Sequence, residues 1–399
     1  VTRRIRIGGT DVEADGEVPE AMLAGAYARR EHPLCLCCAQ GAAMYIARFG
    51  GRHILKRMPG TGPQHDVDCD SFEPPSGLSG LALVEGEAIV ENIEDGTTAL
   101  KLGFSLSKVA GRAAPAAETS DAVSEAKADG ARLSLKATLH FLWDRAGFNR
   151  WRPAMAGRRN WAVVRKFLLD AAAVSTAKGK PLGHSLYVPE MFDAKREDAI
   201  VHRRAELLSR AIQPSGKRRS LAILIGEVKE IAPARIGARL VVKHAPRFPF
   251  MLAEDIERRM RKAFANELAL WDADADSHLV AVATFGIGPA GIATVEAIAL
   301  MVVNENWIPI ETGYEASLIE RLTKGGASFV KSLRYNLAAE QPMASLVVTH
   351  AGGASTALYL VPDDADAAFR ERLDELTGES GMPAWMWDIG SGPMPPLPE

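Results

Sequence analysis

The chain has 399 residues, of which 47% are hydrophobic and 24% charged, with 47 Lys and Arg against 50 Asp and Glu. That length can bury two or three cores, and the composition excludes a disordered or fibrous chain. Four cysteines exclude a disulfide framework, and no apolar run of about 18 residues is present to span a bilayer.

In chain order, alternating Arg3, Ile5 and Ile7 before Gly8-Gly9 predict a short strand and hairpin. Residues 43–55 predict two strands joined at Gly50-Gly51, and the Pro/Gly loop 58–63 follows. Further strand is expected over 81–106, then an Ala-rich polar linker over 111–132. Leu135, Leu139, Leu142 and Ala146 place a helix before Gly147. A second helix over 160–174 has Val164, Phe167, Leu168 and Ala171 on its apolar face. Residues 182–192 read as a wing or short hairpin, and 197–211 as a third helix.

Strands are expected at 221–225 and 239–244, an amphipathic helix at 254–271, and a strand pair at 278–285 and 292–303. The last hundred residues read as helix 314–322, strands 328–334, 345–349 and 356–361, helix 364–376 and strand 385–387. The expected architecture is α+β and multidomain. It comprises a zinc-ribbon-like β module (1–110), the linker (111–132), a basic winged-helix-like segment (133–219), an α/β segment (220–310) and a C-terminal α/β domain (311–399).

All four cysteines fall within residues 32–69. Cys35 and Cys38 are spaced C-x2-C, and His65 and Cys69 are spaced H-x3-C. Both spacings suit a tetrahedral Zn2+, because one turn can aim two soft donors at one ion. The expected set is Cys35, Cys38, His65 and Cys69, with Cys37, His32 and His53 as substitutes. A four-ligand set is closed to water and therefore structural. The competing reading is a group of buried, unmetallated thiols. With no signal-type apolar segment, the protein reads as cytoplasmic, its thiols reduced.

Residues 136–219 hold 18 Lys and Arg against seven Asp and Glu, although the whole chain carries −3. Arg145, Arg150, Arg152, Arg158, Arg159, Arg165 and Lys166 cluster near the junction of the first two helices. They read as phosphate contacts of a winged helix-turn-helix, with Trp143, Trp151 and Trp161 as core and hinge anchors. The competing reading is a solvated basic face.

Glu227 and Lys229 form the E-x-K pair of metal nucleases, but no aspartate sits suitably upstream. Gly286 to Gly291 satisfies G-x-G-x-x-G, yet the segment that follows suits a strand, so a turn explains the glycines.

The phrases CLCC…HDVDC and NWIPIETGYE…FVKSLRYN carry a resemblance over nearly the whole chain. They are similar to those of a bacterial family defined by N-terminal cysteines, encoded on plasmids and integrative conjugative elements, and without an assigned activity. That implies a mobile-element setting. The C-terminal order of helix, three strands, helix and strand also resembles a restriction-endonuclease-like core. In that resemblance Glu315 takes the helix-glutamate position, but Met343 stands at the aspartate position and strand 357–360 lacks both acid and lysine. A strand without hard oxygen ligands cannot hold Mg2+, so the implied copy is degenerate. The expectation is a non-catalytic, zinc-stabilised protein associated with nucleic acid, DNA in the first instance. The alternatives are a metal-dependent nuclease and a protein-interaction adaptor.

Overall fold

The computed structural model describes residues 3–14, 18–109, 130–212, 214–215, 218–288, 290–350 and 354–398. All but the last three residues of the expected linker lie outside these.

The N-terminal module is an antiparallel sheet of β1 (Arg3–Ile7), β2 (Thr10–Ala14), β3 (Leu34–Cys35), β4 (Ala42–Phe49) and β5 (Arg52–Arg57), in the order β2-β1-β3-β4-β5. The β1–β2 turn is made by Gly8 and Gly9 and the β4–β5 turn by Gly50 and Gly51. All four have positive φ, which a two-residue hairpin turn requires. Helix α1 (Glu20–Ala28), which the reading of residues 1–31 as strand and hairpin misses, packs Leu23 and Ala26 onto this sheet. Ile5, Ile7, Met44, Ile46 and Cys35 complete a core of its own.

In the expected strand region 81–106, residues Leu81–Val84 are a short helix, α2, followed by β6 (Ile89–Glu91), β7 (Thr98–Leu100) and β8 (Ser107–Val109). Next come α3 (Leu135–Arg145), β9 (Arg150–Trp151) and α4 (Trp161–Ala173), then β10 (Ser175–Ala177) and β11 (Lys180–Pro181). Ser134 caps α3 by accepting from Ala137 N, and Asn160 caps α4 by accepting from Val163 N.

Helix α3 is buried over eight of its eleven residues and lies against the central barrel. The expected wing is a 3-10 turn and β12 (Leu186–Tyr187), which pairs in parallel with a barrel strand. Helix α3 and the buried stripe of α4 thus form a helical layer on the barrel. Trp143, Trp151 and Trp161 are buried, as anchors should be. Helix α5 (Glu197–Ala211), β13 (Pro214–Ser215) and β14 (Arg218–Ser220) lead into the barrel.

The barrel strands are β15 (Ala222–Pro233), β16 (Ala238–Val242), β17 (Phe250–Leu252), β18 (His278–Ile287) and β19 (Ala293–Val303). Strand β15 pairs with β16, β16 with β17 and β18 with β19, all antiparallel, while β17 pairs with β19 in parallel. The first half of β15 then pairs with β18 and closes the ring. Gly226 lies at the switch between the two partners, where a Cβ would come within 2.9 Å of Val242. Helices α6 (Glu254–Ala263) and α7 (Ala265–Ala273), broken at Phe264, connect β17 to β18, and β20 (Pro309–Ile310) extends the sheet beyond β19.

The C-terminal elements are α8 (Gly313–Lys324), β21 (Ser328–Lys331), β22 (Leu346–Thr349), β23 (Ser355–Val361), α9 (Ala367–Ser380) and β24 (Ala384–Asp388). The order is the one expected. The three-stranded meander continues through α9 to β24, parallel to β23, while β9 from the helical layer adds at the opposite edge. One apolar cluster runs from Val84 to Leu358. The expected boundaries at 219/220 and 310/311 thus cut through a shared core, because β9 and β12 are donated across them.

Candidate metal centre and its basic surround

Strand β3 ends at Cys35, which points into the module core. Leu36 and Cys37 lie in the turn that follows, and that turn brings the Cys37 thiol back to the same cluster. Cys38 turns away, and its thiol reaches the Gln64 carbonyl instead. A 3-10 turn over Gly62–Gln64 delivers His65, and the turn closed by Cys69 N to Asp66 O delivers Cys69.

The ligand atoms of Cys35, Cys37, His65 and Cys69 all lie within 4.8 Å of one another. Cys35 and Cys69 sulfurs are 3.8 Å apart, and His65 Nδ1 lies 3.4 Å from Cys37 Sγ and 3.7 Å from Cys69 Sγ. Zn–S bonds of about 2.3 Å and a Zn–N bond of about 2.0–2.1 Å at tetrahedral angles separate two sulfurs by about 3.8 Å and sulfur from nitrogen by about 3.6 Å. The donor set fits that ion. Backbone N–H groups of Asp66 and Ser71 donate to Cys37 Sγ and Cys69 Sγ, which favours thiolates. The hydrogen bond between Cys35 and Cys69 pushes Cys69 up to about 12 and Cys35 down.

The cluster that could hold a metal therefore contains Cys37, a substitute in the spacing argument, in place of Cys38. His32 is exposed, and His53 pairs with Glu20 and packs against Tyr27, so neither contributes. Among the described residues this is the one cluster of three or more such donors within reach of a single ion.

The basic residues divide by environment. Arg145 pairs with Glu91 and lies 3.9 Å from Glu73, and Arg150 lies 3.8 Å from Glu73. Arg152 pairs with Asp70 and donates to the Asp68 carbonyl. Three expected nucleic-acid contacts thus hold the chain just past Cys69. Arg159 donates to the carbonyls of Phe148, Asn306, Gly147 and Arg150 and lies over the Phe148 and Trp151 rings. Arg165 donates to the Val188 carbonyl. Arg158 and Lys166 remain exposed, Lys166 over the Phe167 ring. The local excess of cations is real, and five of the seven expected contacts are answered by acids or carbonyls elsewhere in the chain.

The E-x-K residues are split by a bulge between Val228 and Glu230. Lys229 is exposed, whereas Glu227 is buried and accepts from Lys243 and His278, both at 2.7 Å, with His244 at 3.6 Å. His278 stacks on Trp307 and His244 on Trp161. Burial opposes the charge on Glu227, but these partners hold its carboxyl well below the usual range. No signal in the sequence links four residues spaced this far apart. Gly286 and Ile287 end β18, and Gly291 N donates to the Gly288 carbonyl in the turn that leads to β19. Glu315 is buried against Lys331 at 3.1 Å and accepts from Glu311 N, an interior ion pair and helix cap.

The profile of a protein family of unknown function, DUF1173, matches residues 5–390. The chain belongs to the DUF1173 family. No curated protein and no solved structure matches it. The match extends beyond the metal centre, across the barrel and the C-terminal sheet. This DUF1173 chain contains no helix, among its described residues, long and apolar enough to cross a membrane.

Proposed function

We propose that the protein is a non-catalytic, zinc-stabilised nucleic-acid-associated protein of mobile elements, with DNA as its first partner. The observation that carries this reading is the barrel. Numbering its strands one to five in chain order, the ring runs 1-2-3-5-4 and closes on 1, with helices between the third and fourth. That is the strand order of the OB-type Greek-key barrel, whose strand 2–3 face and strand 1–2 loop bind oligonucleotides in many settings. A shared fold alone does not assign a function, so the chemistry of the loop matters. Here the β15–β16 hairpin carries Lys229, Arg235 and Arg239, all exposed, with Glu230 as the single acid between them. No ion pair engages these three cations among the described residues, unlike Arg145, Arg150 and Arg152.

Phosphate contact thus moves from the arginines of 136–219 to the barrel hairpin, with Arg158 and Lys166 as further exposed cations. The zinc-ribbon-like module keeps a structural role, and the C-terminal domain serves as a nuclease-like scaffold. Glu227 and Glu315 are taken up in ion pairs, which weighs against the nuclease alternative. Fluorescence anisotropy with single-stranded and duplex oligonucleotides over a salt series tests the reading. Three phosphate contacts give a log–log slope of about −2 to −3. Absence of binding to either form at low salt would sink it.

A further inference from the structure

A cleft of about 350 Å³ opens where the β4–β5 hairpin of the metal module meets helices α3 and α4. That volume falls in the range of small-ligand sites, roughly 300–1,000 Å³. Lys56 enters it from β5 and Arg145 from α3. Phe167 supplies an exposed ring, while Phe141, Thr98 and Ser175 are buried lining residues and the Ser175 hydroxyl donates to the Ala171 carbonyl. The one acid on the lining, Asp170, is exposed.

The two cations differ in what already answers them. Arg145 is committed to Glu91 and Glu73. Lys56 forms no ion pair among the described residues; its half-buried amine donates to the Gly96 carbonyl at 2.7 Å, leaving donor capacity for a second partner. Burial pulls the Lys56 ammonium down, and the Glu91 and Asp95 carboxylates nearby oppose that pull without an ion-pair contact. Phe167 is the other unusual residue. The sequence pattern places it on the apolar face of α4, yet it is 43% exposed. The buried stripe is Trp161, Val164, Leu168, Ala171 and Ala172, and Phe167 stands at its edge over the cleft. Its ring packs edge-on against Phe148 and has the Lys166 amine 5.3 Å from its centre. A single exposed ring is ordinary, and so is a lysine that snorkels to water. An exposed ring and a half-buried cation without an ion-pair partner on one cleft of ligand size form a more specific arrangement.

We propose that this cleft binds a mononucleotide-type ligand, its phosphate on Lys56 and its flat base on the Phe167 ring. The site is separate from the barrel hairpin and does not depend on it. Isothermal titration of the zinc-loaded full chain with adenosine monophosphate, adenosine and inorganic phosphate tests it. The nucleotide should bind one site, and each fragment at least about tenfold more weakly, since both ends contribute. Lys56→Met should weaken the nucleotide about tenfold or more and Lys56→Arg should restore most of it, while Phe167→Ala, at an exposed position, should cost about five- to tenfold. A Lys229→Ala/Arg235→Ala/Arg239→Ala variant should bind the nucleotide as wild type does, which separates this site from the barrel reading. No saturable binding below about 10 mM, or unchanged affinity in folded Lys56→Met and Phe167→Ala, would overturn the assignment.

Discussion

Arg152 reaches the carboxylate of Asp70 at 3.2 Å, one residue beyond the candidate metal ligand Cys69. The pair is well exposed, so its own contribution is at most about 1 kcal/mol. The docking is reinforced by Arg152 to the Asp68 carbonyl, Arg150 to the Asp70 carbonyl and the approach of Arg145 and Arg150 to Glu73. The metal module and the helical layer are thus joined through the segment the metal shapes.

Chelation should therefore loosen residues 35–73 and release Arg150 and Arg152, while α3 stays folded inside the large core. Hydrogen exchange with and without chelator checks this. Protection should fall across 35–73 and persist over 135–145, because zinc-ligand energy is folding energy for a small module. Uniform loss over both segments would contradict it.

Cys37 and Cys38 should separate cleanly. Cys37→Ala should take bound zinc well below one ion per chain, whereas Cys38→Ala should leave it near one, measured by metal analysis after dialysis. The opposite ranking would restore the C-x2-C set.

Arg159 makes its bonds to carbonyls through a planar fork that an ammonium cannot match. Arg159→Lys should cost about 2–3 kcal/mol in urea unfolding, and exposed Arg158→Ala within about 0.5 kcal/mol. Equal effects would mean that both arginines are surface groups.

Glu227 contributes pH-dependent stability. Its carboxyl is held below the unfolded value of about 4.3, so its contribution is present above that pH and is lost as the pH falls further. Glu227→Ala leaves the Lys243, His244 and His278 groups without their carboxylate and should cost about 3–5 kcal/mol at pH 7. The gap to wild type should narrow below about pH 4 in parallel urea titrations. A gap independent of pH would assign the loss to packing alone.

For nucleic acid, Lys229→Ala/Arg235→Ala/Arg239→Ala should weaken binding and flatten the salt slope by about 2–3, with unfolding unchanged. Arg145→Ala should instead lower stability, since Glu91 and Glu73 lose their partner. Retained affinity in the triple variant would place phosphate contact elsewhere.

What the sequence determined by itself is local. Glycine turns at Gly8-Gly9 and Gly50-Gly51, the capped helices starting at Leu135 and Trp161, the 197–211 helix and the C-terminal element order all follow from short-range periodicity and capping. The donor residues of the metal centre were likewise legible, because C-x2-C and H-x3-C confine them to two short segments. The choice of Cys37 over Cys38 was not legible. It depends on where β3 ends and how the turn after it runs, which pairing with β1 and β4 decides. The ring of the barrel closes between residues some sixty positions apart, Ala222 and Phe285 among them, and no window of sequence contains that pairing. The arginines show the same limit most plainly. Their number and sign are written in the chain, but whether a guanidinium meets phosphate or Glu73 depends on which acids folding brings within a few ångströms, and only the tertiary structure decides that.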